Sequence, residues 1–100
     1  MSINFSLEGK CAIVTGGGRG IGRAIALGLA EAGCGVVICS RTPAEIEATA
    51  KEIVKMGRRC IAIETDIADF QQVEGLVNRT KQEFGRIDII YRIMFAQIFN

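Results

Sequence analysis

The sequence predicts an α/β domain with parallel strands joined by helices. Three observations carry this. The chain is 49% apolar with a single Pro, and its strand-like runs, such as Cys11-Ala12-Ile13-Val14 and Val36-Val37-Ile38, are continuous rather than alternating, as in strands covered on both faces. Segments with helical spacing separate those runs, and each ends at a glycine: Gly33, Gly57 and Gly85. Between the first strand and the first helix lies the cluster Thr15-Gly16-Gly17-Gly18-Arg19-Gly20-Ile21-Gly22.

The elements follow in order. Lys10–Val14 reads as a first buried strand. Ile21, Ile25, Gly28, Leu29 and Ala32 mark the expected inner face of a first helix, stopped at Gly33. Gly35–Ser40 is a second strand. Thr42-Pro43-Ala44-Glu45 is a helix start: the Thr42 hydroxyl can cap, Pro43 suits the first position and Glu45 can close a capping box. Ile46, Ala50, Ile53 and Val54 are the expected inner stripe of that helix. Cys60–Glu64 forms a third strand, with Asp66 at its carboxyl end. Asp69 can cap a third helix with stripe Phe70, Val73, Val77 and Phe84. Ile87, Ile89 and Ile90 make a fourth strand. The order βαβαβαβ with right-handed crossovers gives a parallel sheet of spatial order 3-2-1-4.

Composition excludes several classes. One hundred residues with a net charge of +1 make one small domain with no strong pull toward nucleic acid. No run reaches the ~18 apolar residues that span a bilayer. The start, Met1-Ser2-Ile3-Asn4-Phe5-Ser6, lacks the pattern of a signal peptide. Cys11, Cys34, Cys39 and Cys60 form no C-x-x-C pair and the chain has no His, so no metal site is expected. Buried thiols suit a reducing, cytoplasmic setting.

A tight glycine turn between a strand and a helix N-terminus is suited to a pyrophosphate. Glycine admits close backbone approach, and the free N–H groups and positive dipole end of the helix favour an anion. Gly17 and Gly22 have the spacing of a P-loop, but Arg23-Ala24 follow in place of Lys and a hydroxyl residue, which disfavours ATP or GTP hydrolysis. G-x-G-x-x-G is also absent. The pattern present is T-G-x-x-x-G-x-G, as Thr15, Gly16, Gly20 and Gly22. This loop resembles the cofactor fingerprint of the short-chain dehydrogenase/reductase family. Leu7-Glu8-Gly9-Lys10, Arg41, Asp66 and Phe84-Gly85-Arg86-Ile87-Asp88 fit the same family pattern, in register with the strands, over residues 7 to 90. Within it the chain is similar to 3-oxoacyl-carrier-protein reductases and polyol dehydrogenases.

The resemblance implies an incomplete Rossmann-like domain over residues 1–90 that binds a dinucleotide. The implied cofactor-binding residues are Gly16, Arg19, Gly20, Ile21, Gly22, Ser40, Arg41, Asp66 and Ile67. An NAD site usually ends its second strand with an acid that holds the ribose 2′-OH. Here Cys39-Ser40-Arg41-Thr42 has none, and Arg41 and Arg19 can fork onto a 2′-phosphate. NADP(H) is therefore expected over NAD(H). Asp66 resembles the family residue that accepts from the adenine amino group, a role that does not exclude capping a turn.

After Ile90 the family pattern is lost. Asn-Asn-Ala-Gly is expected there, and a Ser and Tyr-x-x-x-Lys beyond it. The chain instead reads Tyr91-Arg92-Ile93-Met94-Phe95-Ala96-Gln97-Ile98-Phe99-Asn100. No catalytic residue can be assigned. The expectation is a truncated oxidoreductase of carbonyl and alcohol groups, inactive alone, with a divergent apolar tail at 91–100. The alternative is a non-enzymatic nucleotide-binding or interaction module. Either way, the fourth strand would be an exposed edge open to self-association.

Overall fold

The computed structural model describes residues 6–92. Of the tail expected to diverge, 91–100, residues 93–100 lie outside the described residues, and Tyr91 belongs to the last strand. Strands β1 (Cys11–Thr15), β2 (Gly35–Ser40), β3 (Cys60–Glu64) and β4 (Ile89–Tyr91) alternate with helices α1 (Gly20–Glu31), α2 (Pro43–Lys55) and α3 (Phe70–Phe84). The sheet is wholly parallel in the order β3-β2-β1-β4, as the sequence predicts. Cys11 registers with Gly35, Val36 with Cys60, and Ala12 with Ile89. The β1–β4 ladder continues through Tyr91, opposite Val14.

Topology dictates the layers. The chain steps from β1 to β2 to β3 in one direction and then returns across the sheet to β4. Right-handed crossovers therefore place α1 and α2 on one face and α3 on the other. On the first face Ala12, Val14, Val36 and Ile38 pack with Ala26, Ala30, Ile46 and Ile53. On the second, Cys11, Ile13, Val37 and Cys39 pack with Leu76, flanked by Phe84 and Ile87. β1 and the centre of β2 are thus buried on both sides, which is why their sequences do not alternate.

The helix faces differ from those expected. In α1 the buried stripe is Gly22, Ala26 and Ala30, while Ile21 is 63% exposed and Gly28 also faces outward. Small side chains let the helix lie close to the sheet, and Ile25 and Leu29 pack along its flanks. In α2 Thr49 joins Ile46 and Ile53 inside, whereas Val54 is exposed. The buried Thr49 hydroxyl is satisfied by the carbonyls of Glu45 at 3.3 Å and Gly18 at 3.5 Å. In α3 Leu76 and Thr80 are buried and Phe70 is 74% exposed.

Helix ends follow the expected stops more closely than the expected starts. The Cys34 N–H donates to Leu29 and that of Gly33 to Ala30, with Gly33 at φ 102°. Arg58 and Gly57 repeat the pattern onto Ile53 and Val54, so α1 and α2 both close with paired carbonyls on a left-handed glycine. Asp69 caps α3 by accepting from the Gln71 and Gln72 N–H groups at 3.0 and 3.4 Å. Thr42 does not cap α2 through its side chain. Its own N–H instead donates to Ser40 Oγ at 3.0 Å, because the short β2–α2 connection brings the two together.

All four thiols are free, and Cys11, Cys34 and Cys39 are fully buried. Burial pushes the Cys11 and Cys39 thiols up to about 11 and that of Cys60 to about 12, which marks them as packing groups rather than nucleophiles.

At the amino edge of the sheet Asp88 ties β4 to β1. Its Oδ2 accepts the Cys11 N–H at 2.8 Å and its own N–H donates to the Cys11 carbonyl at 2.8 Å. Arg86 donates to both carboxylate oxygens at 2.8 Å. The Arg86 hydrogen bonds, and then that from Cys11, hold the Asp88 carboxyl below its ordinary value. A depressed carboxyl contributes stability that is complete above the unfolded-state pKa and is lost as pH falls through the folded one. The urea midpoint of Asp88→Asn should therefore lie below that of the parent at pH 7, and the gap should close on acidification below the ordinary aspartate range. A gap that stays constant to low pH would show that Asp88 does not titrate in this way.

Candidate functional site

The carboxyl ends of β1 and β2 open onto a cleft of about 370 Å³. The connection between β1 and α1 forms one wall. Gly16 turns the chain at φ 71° while its N–H donates to the Cys39 carbonyl at 2.7 Å, so the loop is fastened to the end of β2. The next two residues are pressed inward. A Cβ on Gly17 would lie 2.1 Å from Ile38 Cγ2, and one on Gly18 would lie 2.6 Å from Glu45 Cβ. Any side chain there would drive the loop off β2 and α2. Gly20 differs: at φ 59° it opens α1, and a Cβ on it would meet nothing within 4 Å.

The cleft brings together Gly16 and Arg19 from the loop, Gly20 and Ile21 from the start of α1, and Ser40 and Arg41 at the end of β2. Gly22 lies beneath it, buried in the first turn of α1. Asp66 and Ile67 stand beyond the end of β3 and do not line the cleft. Asp66 Oδ1 accepts the Ala68 N–H at 2.9 Å, so this carboxylate does cap a turn, while Oδ2 makes no bond to the described residues. The Ser40 hydroxyl is engaged with both the N–H and the carbonyl of Thr42.

Gly18, Thr42 and Glu45 also line the cleft. Glu45 reads in the sequence as a capping-box residue. In the structure its carboxylate instead faces Arg19, with Oε2 3.9 Å from the guanidinium. The arginine side chain is 84% exposed. The signal for a site role was available in principle, since a residue three positions into α2 sits at the same sheet edge as the loop. The capping motif gave that residue a sufficient local explanation.

A second cavity, of about 350 Å³, lies at the opposite end of the sheet and is lined by Lys10, Arg58, Arg59 and Arg86. These cations gather where all three helices end, and they offset the negative ends of the helix dipoles. Arg58 pairs with Glu8 at 3.4 Å. Arg59 lies 4.2 Å over the Phe84 ring and donates to the Glu83 carbonyl. Among the described residues no group of His, Cys, Asp and Glu could hold a metal ion. No described helix is long and apolar enough to cross a membrane.

A parallel sheet of order 3-2-1-4 with a glycine-rich turn at the β1–α1 switch point defines a protein of the Rossmann-like class. Residues 10–93 match the model of the family described as short chain dehydrogenase, and the chain belongs to that family. It is 43% identical over 86 residues to an uncharacterized oxidoreductase of Mycobacterium tuberculosis, covering 86% of this chain and 33% of the relative. It is 42% identical over 88 residues to versicolorin reductase 1 of Dothistroma septosporum, covering 87% of this chain and 34% of that one. The chain thus spans about a third of the length of the curated relatives it matches. Among solved structures it superposes on a hydroxysteroid dehydrogenase from Escherichia coli with a TM-score of 0.86 and 35% identity, covering 89% of this chain and 38% of the other. It also superposes on a 7α-hydroxysteroid dehydrogenase in complex with NADH, with a TM-score of 0.84 and 36% identity over 87% of this chain and 34% of that one.

Gly17→Ala should test how far the loop depends on contact with β2. The added methyl must displace Ile38, which is fully buried, and overpacking of this kind costs about 1–3 kcal/mol. The urea midpoint should fall, and adding Ile38→Ala should make the pair cost less than the sum of the single changes. Strict additivity would show that the two positions do not meet.

Proposed function

We propose that these residues form the cofactor-binding half of an oxidoreductase that interconverts carbonyl and alcohol groups with NADP(H). The observation that carries this is the cleft: a glycine turn and the start of α1 face Arg41 across one opening, with Arg19 at its mouth. The Gly20 face is open where a pyrophosphate would approach. The first turn of α1 has no acidic residue and no side-chain cap, so its N–H groups are left for an anion. Ser40-Arg41-Thr42 presents a cation and two hydroxyls where an NAD site would carry an acid. Asp66, with one carboxylate oxygen uncommitted among the described residues, suits the adenine amino group, and Ile67 beside it suits the flank of the base. Solved relatives bound to NADH and to NAD support the dinucleotide as a class.

When bound, the nicotinamide cofactor supplies or accepts hydride. This chain's own residues would hold the pyrophosphate at Gly16–Gly22, clamp the 2′-phosphate with Arg41 and Arg19, and orient the adenosine at Asp66. The free, buried thiols support a reducing, cytoplasmic setting. The outer edge of β4 has no strand partner among the described residues, and Ile90 is 60% exposed. That edge would accept a further strand or a second copy.

Arg41→Asp tests the clamp. A charge-assisted contact is worth about 1.5–3 kcal/mol, so the variant should lose roughly tenfold or more in NADPH affinity by calorimetry while NADH is retained or gains. A variant that keeps its preference for NADPH would show that Arg41 does not read the 2′-phosphate.

The hundred residues carry no identified proton donor. They contain no His and one Tyr, with Phe95 rather than Lys four positions after Tyr91. Tyr91 itself packs against the α1 side of the core. General acid catalysis contributes typically ~10²–10⁴-fold. The purified chain should therefore oxidise NADPH no faster than buffer with diketones or acetoacetyl thioesters. Turnover above background that survives removal of host reductases would overturn this.

A further inference from the structure

Glu45 stands where the proposed function does not require an acid. It lines the same cleft as Gly20, Arg19 and Arg41. Its only ion pair among the described residues is with Arg19, at 3.9 Å, and the two side chains are 37% and 84% exposed. A contact this long and wet is easily exchanged. The root of Glu45 is fixed, because Gly18 packs so closely on its Cβ that no side chain fits between them. Glu45 thus stays rooted beside the loop, and the more exposed Arg19 side chain has the greater freedom to turn. Glu45 and Arg19 both line this cleft, so a phosphate held by Arg19 there would stand near the Glu45 carboxylate as well.

We propose that Glu45 is a specificity-determining residue of this cleft: its carboxylate holds Arg19 and competes with an entering phosphate for that guanidinium. This rests on the NADP(H) reading above and deepens it. Arg19 favours a phosphate because its fork can meet two oxygens at once. To do so it must release Glu45, which then stands uncompensated beside a second anion. The pair thus works as an exchangeable latch that moderates preference for 2′-phosphorylated ligands without abolishing it. Loss of the negative charge at position 45, with the amide kept in the same volume, should free Arg19.

The test is calorimetric titration of the hundred-residue chain with adenosine 2′,5′-bisphosphate and with 5′-AMP, which differ only in the 2′-phosphate. Circular dichroism serves as the folding control. Glu45→Gln should tighten the bisphosphate by about three- to fivefold, the scale of an exposed ion pair, and leave 5′-AMP unchanged. In an Arg19→Gln background the same change should have no effect. Unchanged or weaker bisphosphate binding in Glu45→Gln would overturn the proposal. So would a gain that persists without Arg19, which would mean direct repulsion rather than competition. The NADP(H) reading fails separately, if the parent chain does not prefer the bisphosphate over 5′-AMP. A preference that then appears on Glu45→Gln would keep the latch, and none in either chain would sink both.

Discussion

The close approach of the glycine loop to β2 and α2 is the constraint on which the rest of the domain depends. Gly16 is bonded to the end of β2, Gly17 is seated on Ile38 and Gly18 on Glu45. Thr49 reaches from α2 to the Gly18 carbonyl, so loop, strand and helix are closed into one unit. The loop in turn sets where α1 begins and how near the sheet it runs. A helix that starts this close cannot present bulky residues inward. Gly22, Ala26 and Ala30 form its buried stripe for that reason, and Ile21 is left facing the cleft.

That constraint explains which parts of the fold were legible in the sequence. Strand positions and order followed from continuous apolar runs and the handedness of crossovers, neither of which depends on packing detail. Helix stops were legible because glycine alone takes the left-handed turn cheaply, as Gly33, Gly57 and Gly85 do. Inner faces were less legible. Periodicity weights bulk, so it chose Ile21, Val54 and Phe70, whereas depth of burial is decided by how close each helix lies to the sheet. Thr49 and Thr80 are buried because each hydroxyl returns to a carbonyl one turn back, at 3.3 and 2.7 Å. Such internal satisfaction is invisible to a pattern of apolar residues.

The site shows the same division. The glycine turn, Arg41 and the placement of Ser40 could be read from spacing, because the end of β2 must lie beside the end of β1 in this topology. Glu45 lies at the same edge, but its local role as a helix-start residue already accounted for it. Thr42 illustrates the reverse error. A good capping residue was available, yet the tight connection gave its N–H to Ser40 and left the cap unmade. Local signals state what a residue can do, and the geometry of neighbouring strands decides which option is taken.

A parallel sheet with helical crossovers also sorts charge along the strands. All three helices begin at the carboxyl edge and end at the amino edge, so positive dipole ends collect on one side and negative ends on the other. At the amino edge the chain supplies its own compensation in Lys10, Arg58, Arg59 and Arg86. At the carboxyl edge compensation is uneven. Asp69 occupies the start of α3, and Glu45 lies in the first turn of α2. The start of α1 has neither an acidic residue nor a side-chain cap, and its N-cap is a cation, Arg19. Among these helices it is therefore the one whose N–H groups and dipole remain for an external anion. Gly20, which opens the helix with nothing within 4 Å of the position a Cβ would take, leaves room beside it. A phosphate-bearing ligand of the kind proposed above would meet, at this end of the sheet, a helix start that differs from the other described ones in having neither an acid nor a side-chain cap.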